Sequence, residues 1–200
     1  PFPSPTRFGA RTRQDRRDRI KLIGLRHERN GYLQSILTER KAALPQLSGI
    51  FIYDAAGNWV VTSDGNIPQR ANNGDRNYFR YHATHDDPGV HIGTVIRSRS
   101  SGRLVIPVSM RLNNDDGSFR GVVMASVSLD FFRAVYGYYN LGRQDGLALM
   151  QNDGTILYLR PFLDSAVNQN IASSPLFTRL LKDAPSGTAI YKSALDGVER

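Results

Sequence analysis

The sequence predicts an α+β protein: a long N-terminal helix followed by two similar modules built on antiparallel sheets. Three observations carry this. Apolar residues recur at helical spacing between Thr12 and Leu44. From Leu47 onward, short apolar or alternating runs are separated by Gly, Asn and Asp turns, the pattern of antiparallel strands. The stretch GIFIYDAAGNWVVTS (49–63) is repeated as GLALMQNDGTILYLR (146–160), strand, turn and strand at matching spacing.

The elements follow in order. Residues 1–11 hold three Pro and no periodicity, and read as a disordered leader or one foreign to the native chain. A stalk helix is expected over 12–46, with Ile20, Leu22, Ile23, Leu25, Tyr32, Leu33, Ile36 and Leu37 on its apolar side, a break at Asn30-Gly31 and a stop at Pro45. A first module is expected over 47–129. Its strands are Leu47–Tyr53, Asn58–Ser63, His91–Arg97, Arg103–Leu112 and Phe119–Leu129, and the Asn113–Gly117 turn is a strong hairpin signal. The polar and aromatic connector 65–89 carries a short helix near Asn77–Ala83. A connecting helix over 130–143 has Phe131, Phe132, Val135 and Tyr138 on one side. The second module, 144–200, is expected to have strands at Gly146–Gln151, Thr155–Leu159 and Gly187–Lys192, and a helix at Pro175–Lys182 capped by Ser173 or Ser174. The turn at its end has no strand after it, so this module is expected to be incomplete.

Composition excludes several classes. No run of 18 apolar residues exists to span a membrane, and no apolar h-region opens the chain. The absence of Cys removes disulfides and thiolate metal sites, and fits an oxidising compartment. A net charge of +8 invites a nucleic-acid reading. Its distribution argues against one: residues 1–41 carry +7 and residues 42–200 only +1. The basic segment reads as a solvated helix face or as one lying near anionic headgroups, and no nucleic-acid partner is expected. His82, His85, Asp86, Asp87 and His91 could suggest zinc, but HATHDDPG (82–89) reads as a polar loop, so no metal is expected. No nucleophile elbow, P-loop or paired carboxylates occur, so no catalytic residues, no enzyme activity in this region and no cofactor are expected.

Three stretches carry a resemblance: DRNYFRYH (75–82), HIGTVIRSRSSGRLVIPVSMRL (91–112) and DGSFRGVVMASVSLDFF (116–132). In order and spacing they resemble the double-Cache sensor region of bacterial membrane-bound diguanylate cyclases, over about residues 33–192. The resemblance implies tandem PAS-like modules, the first membrane-distal and ligand-binding. It implies a periplasmic domain of an inner-membrane protein, tethered by a transmembrane helix on each side, with the cyclase outside this chain. A homodimer through the N-terminal helix would carry the signal. The sensor of a histidine kinase or chemoreceptor is the alternative, and a stand-alone basic adaptor or hydrolase is one of another class.

In such modules the connector roofs a pocket on the sheet. Arg76 offers a planar fork of donors for a carboxylate, or else braces the connector by pairing with Asp75 or Asp86. Tyr78 adds a hydroxyl and an apolar wall, Phe79 reads more as core, and His82 could donate to an anion or cap a carbonyl. Arg99 joins them from the Ser-Arg-x-Ser-Gly turn. Strand alternation adds Ser109 and Arg111 on one face, and Ser126 and Ser128 on another. Amino-acid-binding relatives have Arg-Pro-Trp-Tyr where this chain has Arg76-Asn77-Tyr78-Phe79, and an Asp where it has Ser126. A hydroxyl cannot balance a buried ammonium, which favours a small anionic ligand, carboxylate-like rather than an amino acid.

Overall fold

The computed structural model describes residues 29–142, 145–195 and 197–199. The leader 1–11, the basic segment and the stalk up to residue 28 lie outside the described residues. Helix α1 is described over 29–42, so Asn30-Gly31, where the sequence signals a break, stand at the start of the described helix. α1 is tied to the first module by Lys41, paired with Asp64 at 2.6 Å, and by the Thr38 hydroxyl, which donates to the Ser63 carbonyl at 2.7 Å. Among the described residues no helix is long and apolar enough to cross a membrane.

The first sheet contains β1 (Leu47–Asp54), β2 (Trp59–Thr62), β3 (His91–Ile92), β4 (Ile96–Arg97), β5 (Leu104–Asn113) and β6 (Phe119–Ser128). It is antiparallel, in the order β2-β1-β6-β5-β3, with β4 also on β5. The strand expected over His91–Arg97 is therefore two short ones. Gly93 lets the backbone cross close over Pro107: a Cβ there would stand 2.9 Å from the proline Cγ. Helix α2 (Asn77–Thr84) lies on the sheet and buries Tyr78, Phe79 and His82. Beneath it Phe51, Tyr53, Trp59, Tyr78, Phe79, Val122 and Met124 form one core.

β6 passes directly into α3 (Leu129–Gly137), whose N-terminus is capped by the Ser128 hydroxyl accepting from the Asp130 N–H at 3.2 Å. Tyr138, expected on its apolar side, lies just beyond its end and is 90% exposed. Arg160 donates to the carbonyls of Tyr136 and Tyr139 and so closes that end of the helix. A second, two-stranded sheet pairs β7 (Leu147–Met150) with β8 (Ile156–Arg160). Tyr158 and Leu157 on β8 share a core with Val95, Ile106 and Leu129 of the first part of the chain, with Phe132 and Tyr136 of α3 packed against it.

Two expectations differ in the second half. The helix near Pro175 starts at Pro175 as expected, and the Ser174 carbonyl before it accepts from the Phe177 and Thr178 N–H groups, but Leu176–Leu180 form a wide π turn running into one short turn, α4 (Leu181–Asp183). Pro has no N–H to lose at the first helical position, and the Ser174 hydroxyl makes no cap bond. Residues 187–192 form no strand; only Lys192 makes an isolated bridge, to Glu199. Ile190 in that run is 78% exposed, with no neighbouring strand to cover it.

Candidate functional site

Three polar centres surround α2, and the expected site residues are divided among them. The first is a buried knot under the connector. Asn73 Nδ2 donates to the Tyr78 hydroxyl at 2.7 Å and to the Tyr53 hydroxyl at 3.1 Å, and its Oδ1 accepts from the Trp59 indole at 3.1 Å. Tyr78 Oη also meets Tyr53 Oη at 3.3 Å. Burial pushes both phenols above their ordinary range, so they stay neutral donors at any physiological pH.

The second centre is at Arg76, and the acids that the sequence offers it go to other arginines. Arg99 spends its fork on Asp75, two bonds of 2.8 Å each, and reaches the Asn73 side chain at 3.3 Å. That pairing pulls the Asp75 carboxyl down to about 2. Arg111 takes the other acid, Asp86, at 3.3 Å, and its guanidinium lies 4.8 Å from the Phe119 ring centre. Arg76 is left without a carboxylate partner among the described residues. One terminal nitrogen donates to the Arg97 carbonyl at 3.1 Å, and Nε is buried with no acceptor. No side chain caps α2, whose cap position is Arg76 itself.

The third centre is at the far end of α2. His82 is fully buried; Nε2 meets the Ser109 hydroxyl at 3.0 Å and Nδ1 has no partner. Burial first, then neighbouring His91, push its pKa down, so it is neutral at pH 7. Tyr81 is sandwiched between His85 and His91, at 4.5 and 4.0 Å between ring centres. Among the described residues no three His, Asp or Glu side chains are placed to hold a metal.

The structure thus separates the nine expected site residues. Arg76 and Ser126 border a void under the connector of about 10 Å³, room for one water at most. Phe79 packs edge-on against Phe119 and Tyr53 in the core. His82, Ser109 and Arg111 form the third centre, with Arg111 donating to the His82 carbonyl. Arg99 is committed to Asp75, and Ser128 to capping α3. The open space adjoining Arg76 is elsewhere, a cleft of about 390 Å³. Arg76 and Tyr78 line it together with His91, Gly93, Gln151 and Asp153, the last two from the β7–β8 turn region. Its volume is that of an ordinary small-ligand site. Asn73, Gln151 and Asp153 are missed by sequence reasoning. Locally they read as a connector residue, a strand end and a turn residue, and only tertiary contacts bring them to the site.

Comparison with known proteins gives a consistent result. Residues 129–200 match a family model described as a histidine kinase sensor domain, dCache_1_like. The extracellular domain of rpHK1S-Z16, assigned as a histidine kinase, is 32% identical; the alignment covers 90% of this chain and 76% of that one, with a TM-score of 0.71. The sensor domain of the Vibrio cholerae histidine kinase DctB shares the fold at 13% identity and a TM-score of 0.52, over 69% of this chain and 51% of that one. The ligand-binding domain of the Pseudomonas fluorescens chemoreceptor CtaA, solved with L-isoleucine, does so at 18% and 0.51, over 80% and 62%. No curated protein matches the chain. An identity of 32% over three quarters of a solved extracellular sensor, on a PAS-like antiparallel scaffold, places this chain in the dCache_1-like family of sensor domains.

Proposed function

We propose that this chain is the extracytoplasmic, ligand-reading part of a membrane-tethered signalling receptor with a histidine kinase or chemoreceptor output, and that Arg76 anchors a small carboxylate. In this reading residues 47–129 read the ligand and residues 144–200 form the membrane-proximal module. The chain is held at the periplasmic face of the inner membrane by spans outside it and pairs with a second copy along the stalk helix. The family description and the 32% identical extracellular domain support a kinase output. A diguanylate cyclase output is the second reading, favoured by the DRNYFRYH and GSFRGVV stretches.

One observation carries the ligand assignment. The neighbouring acid, Asp75, is taken by Arg99, and Arg76 has no carboxylate partner among the described residues while it lines an open cleft. A guanidinium without a carboxylate partner is an anchor for one, which can meet it with two bonds. Thermal-shift screening with short mono- and dicarboxylates, followed by calorimetry on wild type and Arg76→Lys, tests this. The Lys variant keeps the charge and loses the fork, so the best carboxylate should bind about tenfold more weakly. Equal affinity in both proteins removes Arg76 from the site.

A further inference from the structure

The cleft beside Arg76 has walls from both halves of the chain, and the walls differ in hydrogen-bonding sense. One wall donates. It holds the Arg76 guanidinium, which has no carboxylate partner among the described residues, beside Asp75, whose carboxylate is taken up by Arg99, together with the first turn of α2, where Asn77 and Tyr78 line the cleft and no side chain caps the helix. The other wall accepts. Gln151 uses its Nε2 on the Ile92 carbonyl at 2.6 Å, which leaves its Oε1 without a partner among the described residues. Asp153 uses Oδ1 on the Thr155 N–H at 2.9 Å, which leaves Oδ2 without one among them. Both residues line the cleft.

The floor between the walls is clasped from the second half as well. Asn168 stands at φ +66° and reaches across with both ends of its amide: Nδ2 donates to the Val95 carbonyl and Oδ1 accepts from the Val95 N–H, each at 2.8 Å. Arg76 holds the same segment from the other side, through the Arg97 carbonyl. Residues 92–97 are thus tied to α2 and to the second sheet at once.

We infer that this cleft is a two-module ligand site, taking a short molecule with a carboxylate at one end and a hydrogen-bond donor, hydroxyl or ammonium, at the other. The carboxylate meets Arg76 and the start of α2; the donor meets Asp153 and Gln151. The inference rests on the reading of Arg76 as the anchor and extends it to a second group of residues. The acceptor wall also supplies a carboxylate that Ser126 does not, at a different place in the fold. A ligand spanning the cleft stabilises one relative position of the two halves, because its two ends bind different ones.

The test uses the 200-residue chain and three probes on the same four-carbon chain: butyrate, 4-hydroxybutyrate and 4-aminobutyrate, measured by calorimetry. Wild type should bind the two donor-ended probes about tenfold more tightly than butyrate, the value of one charge-assisted hydrogen bond. Asp153→Asn keeps the Oδ1 acceptor for Thr155 and hence the turn, and should reduce the preference for 4-aminobutyrate most. Gln151→Ala should reduce that for 4-hydroxybutyrate, and butyrate should bind both variants as it binds wild type. Arg76→Lys should weaken all three. If Arg76→Lys weakens butyrate while the Asp153 and Gln151 variants keep the wild-type preference, the anchor stands and the two-module site falls. If Arg76→Lys changes nothing, or no probe binds at millimolar concentration, both fall.

Discussion

Replacing Asn73 by Ala tests whether the polar knot holds the first module together. Asn73 is 4% exposed and satisfies three aromatic side chains at once. Its loss strands the Trp59 indole N–H, a buried donor with no other acceptor, at about 1–3 kcal/mol. The two bonds to the tyrosine hydroxyls are worth about 1 kcal/mol each, although Tyr53 and Tyr78 keep the 3.3 Å bond to each other. The total is about 3–4 kcal/mol, or about 10 °C in Tm for a domain of this size. Thermal and urea unfolding of wild type, Asn73→Ala, Tyr78→Phe and the double variant measure it. The double-mutant coupling between Asn73 and Tyr78 should be about 1 kcal/mol. A loss below about 1 kcal/mol in Asn73→Ala, with no coupling, refutes the claim that the knot is a structural hub.

Two other outcomes follow from the geometry. His82 and His91 have pKa values held below the ordinary 6.5, chiefly by burial, with Asp87 opposing and Arg111 and the neighbouring imidazoles adding to the effect. As pH falls through 6.5 the unfolded chain takes up these protons first, so stability is complete above that value and is lost below it. The urea midpoint should fall between pH 7.5 and 5.5, and less so in His82→Gln; a flat profile there would be the contrary result. A separate loss belongs to Asp75, whose carboxyl is held at about 2 by Arg99: stability present above the ordinary 3.8 disappears as pH falls towards 2, and Arg99→Gln should remove that component. Gly121→Ala should be severely destabilising, because the new Cβ would stand 2.0 Å from the Tyr53 carbonyl oxygen where β1 pairs with β6. A Tm within a few degrees of wild type would show that the two strands can separate locally without cost.

What could be read in the sequence was whatever is encoded locally. β5 and β6 alternate over ten residues each around an Asn-Asp-Asp-Gly turn, and both strands lie within a residue of their expected limits. The Asn77 helix was visible because its apolar Tyr78, Phe79 and His82 share one face. The sequence left open whether Arg76 meets a ligand or pairs with Asp75 or Asp86; only the tertiary structure gives Asp75 to Arg99 and leaves Arg76 without a carboxylate among the described residues. The run Gly187–Lys192 has strand propensity and, among the described residues, only the isolated bridge of Lys192 to Glu199, since strand formation is decided by a neighbour that the local sequence does not specify. The cleft was illegible for the same reason: Gln151 and Asp153 belong to a turn 75 or more residues away from Arg76 along the chain.

The internal repeat extends beyond strand and turn, and its differences are chemical. In the first half Asn58 bridges to Asn72, the Asn72 amide donates to the Ala56 carbonyl and accepts from the Gly74 N–H, and the Arg76 N–H returns to the Asn73 carbonyl. In the second half Thr155 bridges to Asn170, the Asn170 amide donates to the Asp153 carbonyl and accepts from the Ala172 N–H, and the Ser174 N–H returns to the Ile171 carbonyl. Gly57 and Gly154 have the same left-handed backbone, at φ +83° and +88°, and in each a Cβ would strike the facing backbone N within 3 Å. With the frames superposed in this way, Trp59 corresponds to Ile156, Asn73 to Ile171, Arg76 to Ser174 and His82 to Leu180. Every polar member of the first set that builds the knot or the anchor is apolar or small in the second. Ile156 and Ile171 pack into an apolar cluster where Trp59 and Asn73 hydrogen-bond, and Ser174 Oγ is buried without a partner where Arg76 extends a guanidinium. One backbone frame therefore carries two chemistries, hydrogen-bonding and charged side chains in the first half and apolar or small ones in the second. Gln151 and Asp153, at the turn of the second half, line the cleft together with Arg76 of the first.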